Sequence, residues 1–435
     1  MAQSEFLPTL SFRPKPIGGP LLLWGGFALV MAVAPLLWTS SFAQTMLSQI
    51  GIAIIACLAY NMLLGQGGML SFGHAVYSGL GSFLAMHTLN AVSAGRLSVP
   101  VSLIPLVGGF AGLFFAALLG WVTTKKSGTT FAMITMGVGE LVWSMSLMIP
   151  EFFGGEGGVS GNRVVGQPVA GISFGPQIQV YYLIAVYCFI STALMYAVTR
   201  TPLGRMLNAV RDNPERVEFI GYDTRKVRFF TFMISGFFAG IAGGLGALNF
   251  EIVTAEVVGA ARSGAYLLFV FLGGATFFFG PIIGAVLMVI GLVLLSELTK
   301  AWLLYLGLIF LLMVMYAPGG IASLIMMNLR LALFGKLKRV LPAYLVLGVA
   351  GLIALTGAAA MIEMLYHLQL NAALGPKMPF LGLTLDATSA ACWTAALALL
   401  LVGAALFEWR RRNFTLQWGA IAEEIEREIQ RRGAL

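Results

Sequence analysis

The chain has 435 residues, 59% apolar and only 10% charged, where a water-soluble domain carries roughly 45–50% and about 25%. That composition excludes a soluble enzyme, a disordered regulator and a fibrous protein, and leaves lipid as the solvent. Three cysteines (Cys57, Cys188, Cys392) lie in apolar stretches without ligand spacing or a disulfide framework, and the net charge of +8 needs its placement examined before any partner is inferred.

A polar tail, residues 1–20, comes first. Arg13 and Lys15 ahead of an apolar run would also suit a cleaved signal peptide, but the leader is long and multi-span proteins usually keep their first helix. A bilayer core of about 30 Å takes roughly 20 helical residues. Apolar runs near that length fall at 21–39, 46–64, 71–90, 101–123, 130–149, 180–198, 229–249, 282–297, 302–317, 343–365 and 387–407. A marginal run at 265–279 brings the candidates to twelve. All are expected to be helical, because an isolated lipid-facing strand leaves its backbone unpaired. With the N-terminus inside, 21 of the 26 Lys and Arg residues fall on the cytoplasmic side, and five (Arg96, Arg163, Arg262, Lys300, Lys377) fall outside. This is the positive-inside asymmetry, and it predicts twelve crossings with both termini cytoplasmic. The basic charge is thereby explained without nucleic acid.

Two stretches are too glycine-rich for ordinary spans: Gly65 to His74, continuing to Gly79 and Gly81, and Gly273-Gly274 through Gly280-Pro281 to Gly284. Broken helices of this kind are tolerated where backbone is buried in protein or lines a cavity, and one in each half suits a pathway near the midplane. Close helix packing through small residues is the alternative, and it fits Gly236, Gly240, Gly243, Gly244 and Gly246 better. Candidate pathway residues are Asn61, Gln66, Ser71, His74, Glu140, Gly273, Gly274 and Thr276. Glu140 sits in mid-span and either lines the conduit or is a hydrogen-bonded packing residue, the second being favoured. His74 and Asn61 read first as structural groups near the break. Glu297, Glu363 and Asp386 lie at span ends. No chain of carboxylates crosses the membrane, which argues against the competing class, an ion- or proton-coupled secondary transporter.

The cytoplasmic segment 200–228 reads as two short helices. Thr201-Pro202 opens the first, Asp212 or Asn213 ahead of Pro214 the second, and Gly221 ends it. A charged two-turn helix between spans cannot bury itself, so a docking helix for a cytoplasmic partner is expected. The chain has no phosphate-cradling G-x-x-x-x-G-K-[ST] loop and no catalytic constellation, so no cofactor is expected in it.

Four ordered motifs carry a family resemblance. They are Leu58-Ala59-Tyr60-Asn61-Met62-Leu63-Leu64-Gly65 leading to Leu70-Ser71-Phe72-Gly73-His74-Ala75; Gly154-Gly155-Glu156-Gly157-Gly158-Val159-Ser160-Gly161; Gly204-Arg205-Met206-Leu207-Asn208-Ala209-Val210-Arg211-Asp212-Asn213-Pro214-Glu215 with Gly221; and Gly273-Gly274, Gly280-Pro281-Ile282-Ile283-Gly284-Ala285 and Tyr316-Ala317-Pro318-Gly319-Gly320. The chain resembles the permease subunits of ATP-binding-cassette importers for branched-chain amino acids, of the high-affinity LivM/LivH type and on its LivM side. The resemblance implies an all-α polytopic core of about ten spans over residues 21–325 in a bacterial inner membrane. It implies a second homologous permease, two cytoplasmic ATPases that bind ATP and Mg, and a periplasmic solute-binding protein. The segment holding Arg205, Arg211, Asp212, Asn213, Glu215, Arg216, Glu218 and Gly221 would seat in an ATPase cleft. Arg216 and Val217 stand where the family has paired alanines. The solute stays open among branched-chain and other amino acids, urea or amides, and aromatic acids.

Beyond the core lie an interfacial stretch (326–342), two additional spans (343–407) and a tail (408–435). In the tail Phe414, Trp418, Ile421, Ile425 and Ile429 recur at helical spacing, with Glu423–Arg427 and Glu428–Arg432 as i,i+4 pairs. That apolar stripe needs a surface, either the membrane or an ATPase.

Overall fold

The computed structural model describes residues 18–165, 173–370 and 375–433. The N-terminal tail with Arg13 and Lys15 lies outside the described residues, as do the side chains of Glu428, Ile429 and Arg432. The chain divides after Gly264 into two compact units.

The first unit runs α1 (Gly18–Leu37), α2 (Ser41–Asn61), α3 (Ala75–Ser93), α4 (Ile104–Thr123), α5 (Gly128–Met148), the short α6 (Pro150–Phe153), α7 (Gln177–Arg200), α8 (Pro202–Asp212), α9 (Pro214–Phe219) and α10 (Thr224–Phe250). A two-residue strand pair, β1 (Val159–Ser160) and β2 (Ile252–Val253), ties the segment after α6 to the end of α10. At its centre α3 packs on α4 and α10 through glycine. A Cβ on Gly112 would sit 2.2 Å from the Gly236 carbonyl, and one on Gly243 1.8 Å from that of Ser78. Only a residue without a side chain lets these backbones approach so closely. The close-packing reading therefore holds for Gly236, Gly240, Gly243 and Gly244, whereas Gly246 has open space beside it. Hydroxyls complete the contacts: Ser82 donates to the Gly243 carbonyl at 2.9 Å and Ser235 to that of Ala59 at 2.6 Å.

After β2 the chain turns back along α3. Gly161 lies against Met86 and Asn90 near the C-terminal end of α3, Val258 meets Gly79, and the Ser263 hydroxyl accepts from the Ala75 amide at 3.0 Å. Arg262 therefore sits beside the first turn of α3, at the end opposite Asn90 and Ser160. The segment expected as an external loop at Arg262 folds back along α3, which a one-dimensional count of runs cannot show.

α11 (Ala260–Gly273) leads into the second unit, which continues with α12 (Gly280–Val289), a π-turn over Ile290–Leu294, α13 (Leu295–Leu298), α14 (Trp302–Tyr316), α15 (Gly320–Leu333), α16 (Leu337–Leu370), the hairpin β3 (Lys377–Phe380) and β4 (Leu383–Asp386), and α17 (Ala390–Gly433). Pro318 and the positive φ of Gly320 (68°) bend α14 from α15 by 49°. α16 and α17 pack closely at Gly357 and Gly403, where added Cβ atoms would meet opposing backbone at 2.4 and 2.3 Å.

The stripe on the tail of α17 is covered by the chain itself. Phe414, Trp418, Ile421 and Ile425 pack with Leu331, Phe334, Leu337, Val340 and Tyr344. Glu424 receives Lys336 at 2.8 Å and Arg339 at 3.3 Å, and the Lys336 hydrogen bond holds its carboxyl below the usual range. Neither the membrane surface nor an ATPase is needed to account for that stripe. The i,i+4 pair Glu423–Arg427 forms, at 3.3 Å.

Each of the twelve apolar runs contains a helix. Among the described residues eight helices are long and apolar enough to cross a membrane, nine if the bent pair α14 and α15 is one span. The apolar stretches of α1 and α11 fall short of that length, and α3, at 19 residues, is long enough but too polar and mostly buried in protein.

Candidate coupling and translocation sites

α8 and α9 begin where the sequence places them. Thr201 accepts from the Gly204 amide at 3.3 Å and Asn213 from that of Arg216 at 3.0 Å, each followed by a first-turn proline. Gly221 ends the segment at φ 89°. Asp223 then caps α10, accepting from Arg225 and Lys226 amides. α8 turns Gly204, Leu207 and Val210 inward, and α9 turns in Val217.

The expected docking residues separate into two groups. Arg205, Glu215 and Arg216 are exposed without any side-chain hydrogen bond among the described contacts. Arg211, Asn213 and Glu218 have internal work. Glu218 accepts from the Thr224 hydroxyl at 2.7 Å. Arg211 pairs with Asp212 at 3.0 Å and donates to the Gly65 carbonyl. A Cβ on Gly68 (φ 62°) would lie 2.8 Å from the Arg211 side chain, and one on Gly67 3.1 Å from Leu207. The first glycine-rich break is thus the seat of α8. Sequence reasoning also passed over Phe219, 88% exposed, Ile220 and Tyr222, an apolar knob beyond α9. Its signal was there: large apolar residues inside an otherwise charged cytoplasmic loop.

The break itself is ordered. α2 passes into a π-turn over Met62–Gln66, the Met69 amide returns to the Leu63 carbonyl at 2.9 Å, and Tyr60 donates to the Ser71 carbonyl at 2.9 Å. Asn61, Ser71 and His74 are buried, and His74 lies edge-on to Tyr60 at 5.2 Å. Oδ1 of Asn61 and Oγ of Ser71 have no hydrogen-bond partner among the described residues. Within this protomer these residues are enclosed, and Gln66 is half-buried under α8. At the second break Gly273, Gly280 and Gly284 serve close packing: a Cβ on Gly273 would lie 2.2 Å from the Gly280 carbonyl, and one on Gly284 2.1 Å from that of Phe269. Gly274 takes φ 113° against Gly319, and Thr276 is exposed on the connecting turn.

Arg163, placed by the sequence only among the external charges, is a structural residue. Its guanidinium reaches the Leu248 and Asn249 carbonyls at 3.3 and 3.2 Å and the Phe174 carbonyl at 2.8 Å, a cation at the negative end of α10.

Glu140 is placed differently from the packing reading favoured for it. α5 buries Phe131, Ala132, Thr135, Gly139, Val142 and Ser146. There Thr135 accepts from the Phe72 amide at 3.2 Å, and a Cβ on Gly73 would lie 2.1 Å from the Thr135 carbonyl. Glu140 points away from that side with Met133, Gly137 and Ser144, all exposed, near the midpoint of the 21-residue helix. It makes no hydrogen bond or ion pair among the described residues. A charged side chain facing hydrocarbon there costs about 2.5–3.5 kcal/mol on insertion scales. The outward face of α4 carries Phe110, Phe114, Leu118 and Trp121, and that of α7 carries Tyr182, Val186, Ile190 and Leu194. Those faces suit lipid; on α5 the stripe through Gly137, Glu140 and Ser144 does not, although Leu141 and Trp143 are exposed beside it.

Comparison with known proteins agrees with this architecture. The family model described as branched-chain amino acid transport system, permease component, matches residues 42–318. The high-affinity branched-chain amino acid transport system permease protein LivM of Salmonella typhimurium is 27% identical over 324 residues, covering 70% of this chain and 75% of that protein. LivM of Escherichia coli is 26% identical over the same shares. A probable branched-chain amino acid transport permease protein LivH of Methanocaldococcus jannaschii is 26% identical over 42% of this chain and 59% of its own length. No solved structure matches. With the greater part of its length matched, and with its apolar helices, the chain belongs to the family of branched-chain amino acid transport permeases, as a multi-pass membrane protein.

Proposed function

We propose that this permease is half of the conduit of an ATP-driven importer in a bacterial inner membrane, both termini cytoplasmic, carrying a branched-chain amino acid or a related small organic solute inward. A second homologous permease completes the conduit, a periplasmic binding protein delivers the solute, and two cytoplasmic ATPases hold ATP and Mg. The observation that carries this reading is the seating of α8 on the first break. A push on Phe219, Ile220 or the exposed charges of α8 and α9 reaches Gly65–Gly68 through Arg211 and Leu207. From there the chain runs to Phe72 and Gly73, against which α5 packs. Force on the cytoplasmic segment is thereby delivered to the helix whose outward face is unsuited to lipid. That face is half of the conduit wall. The two helices α16 and α17 lie beyond the matched region and form an addition to the permease core.

The test is affinity purification in mild detergent of wild type beside a Phe219→Asp, Ile220→Asp double variant. Both side chains are exposed, so the variant keeps the fold. Wild type is expected to bring down ATPase subunits and hydrolyse ATP, and the variant to lose both. A wild type that purifies alone and moves solute under a proton gradient contradicts the proposal.

A further inference from the structure

We propose that Glu140 is the subsite for a positively charged group of the transported solute, which makes the cargo an amino acid with a free ammonium rather than a urea, an amide or an aromatic acid. The inference rests on the conduit reading above and goes beyond it to a named recognition group. A carboxylate accepts hydrogen bonds and offers none, so an ammonium with its three donors complements it in both charge and hydrogen bonding. A neutral amide gains less, and an anionic acid is repelled.

The surroundings suit a small, transient occupant. One turn before Glu140, Gly137 has no atom within 4 Å of where a Cβ would stand, and one turn after it Ser144 exposes a small polar side chain. These keep the helix surface low on either side of the carboxylate, with Leu141 and Trp143 exposed beside it. Met133 and Met136 border this stretch, 74% and 51% exposed. Their unbranched thioethers adapt to aliphatic groups of varied shape, as a conduit for several related side chains requires. The same methionines lie beside Gly137, so a helix packing there meets two flexible thioethers and not a seam of small residues. A closed ion pair to the second permease is therefore the less favoured occupant of this face. α5 is also the helix that rests on Phe72 and Gly73 beyond the seat of α8, so movement of the break would shift the carboxylate along the path.

The experiment uses the whole importer in proteoliposomes, with leucine-saturated binding protein outside and ATP on the ATPase side. Glu140→Gln is expected to lower leucine delivery by about tenfold or more while ATP hydrolysis continues, so that ATP consumed per leucine rises by the same factor. Glu140→Asp is expected to restore most of the delivery. A second measurement follows radiolabelled leucine retained by the complex without its binding protein. Isopentylamine, which keeps the ammonium, should displace it, and isocaproate, which keeps only the carboxylate, should not. Glu140→Gln should abolish the retention. Delivery by Glu140→Gln equal to wild type overturns the subsite and leaves the importer reading standing, as does displacement by isocaproate as strong as by isopentylamine. Loss of permease pairing in Glu140→Gln assigns the carboxylate to a subunit ion pair and also overturns it. A wild-type importer that carries a urea, an amide or an aromatic acid but no leucine overturns the subsite alone, whereas a wild type that neither binds ATPase subunits nor moves any of these solutes under ATP contradicts the importer reading itself.

Discussion

Helices α4 and α5 follow each other in the chain at nearly equal length, 20 and 21 residues, yet they present opposite chemistry outward. α4 shows phenylalanine, leucine and tryptophan along one stripe; α5 shows Leu141, Trp143 and several methionines too, but sets Gly137, Glu140 and Ser144 among them. Both are apolar enough to be spans, so composition does not distinguish them. The difference lies in what each face can tolerate: the α4 stripe is stable in hydrocarbon, and the α5 stripe asks for water or protein. A permease announces its conduit by which outward face fails as a lipid face.

The contrast breaks most sharply by exchanging the chemistry. Phe114→Glu on α4 puts a carboxylate into lipid at a cost of about 2.5–3.5 kcal/mol. Most folded, membrane-inserted protein should be lost, as read by fluorescence-detected chromatography. Ser144→Glu on α5 should yield close to wild type. Equal losses would remove the distinction between the faces. Next in size is the inner side of the same bundle. Gly243→Val drives a side chain into the Ser78 carbonyl and should destabilise by about 1–3 kcal/mol in detergent melting. Gly246→Ala, three residues on with open space beside it, should be neutral. Arg211→Ala cuts the link between α8 and Gly65 that feeds the α5 side. Uptake should fall about tenfold, the scale of one charge-assisted hydrogen bond, with ATPase subunits still bound.

The smallest effect concerns the tail. The Glu424 carboxyl is held below its usual range chiefly by Lys336. Its contribution to tail docking is therefore present above the unfolded value and lost as pH falls through the folded one. Hydrogen-exchange protection of residues 414–425 should be flat at neutral pH and drop only in acid, below the ordinary glutamate range.

What the sequence revealed follows from what a periodic pattern can carry. Helix positions, the caps at Thr201 and Asn213 and the stop at Gly221 are local signals, and all are present in the structure. The stripe on the tail showed that a partner surface existed, but its partners Leu331 and Val340 are far away in the chain, so the choice between membrane and ATPase was posed without the true answer. Arg163 is fixed by carbonyls equally distant in sequence. The glycines of both breaks were visible, but their roles were not. Gly67 and Gly68 make room for α8, and Gly273 and Gly280 make room for one another. Glu140 stood out as a mid-span charge, and only the packing of Thr135 and Gly139 on Phe72 and Gly73 shows which way it faces.

The most direct measurement is the water accessibility of the two faces in the assembled importer. Single cysteines at Gly137, Ser144, Phe114 and Leu118 would be labelled with a membrane-impermeant maleimide. Cys392 would be replaced by serine, since Cys57 and Cys188 are buried and silent. The account predicts rapid labelling at Gly137→Cys and Ser144→Cys that leucine slows, and none at Phe114→Cys or Leu118→Cys. Labelling that is equal on both helices, or confined to α4, would contradict it.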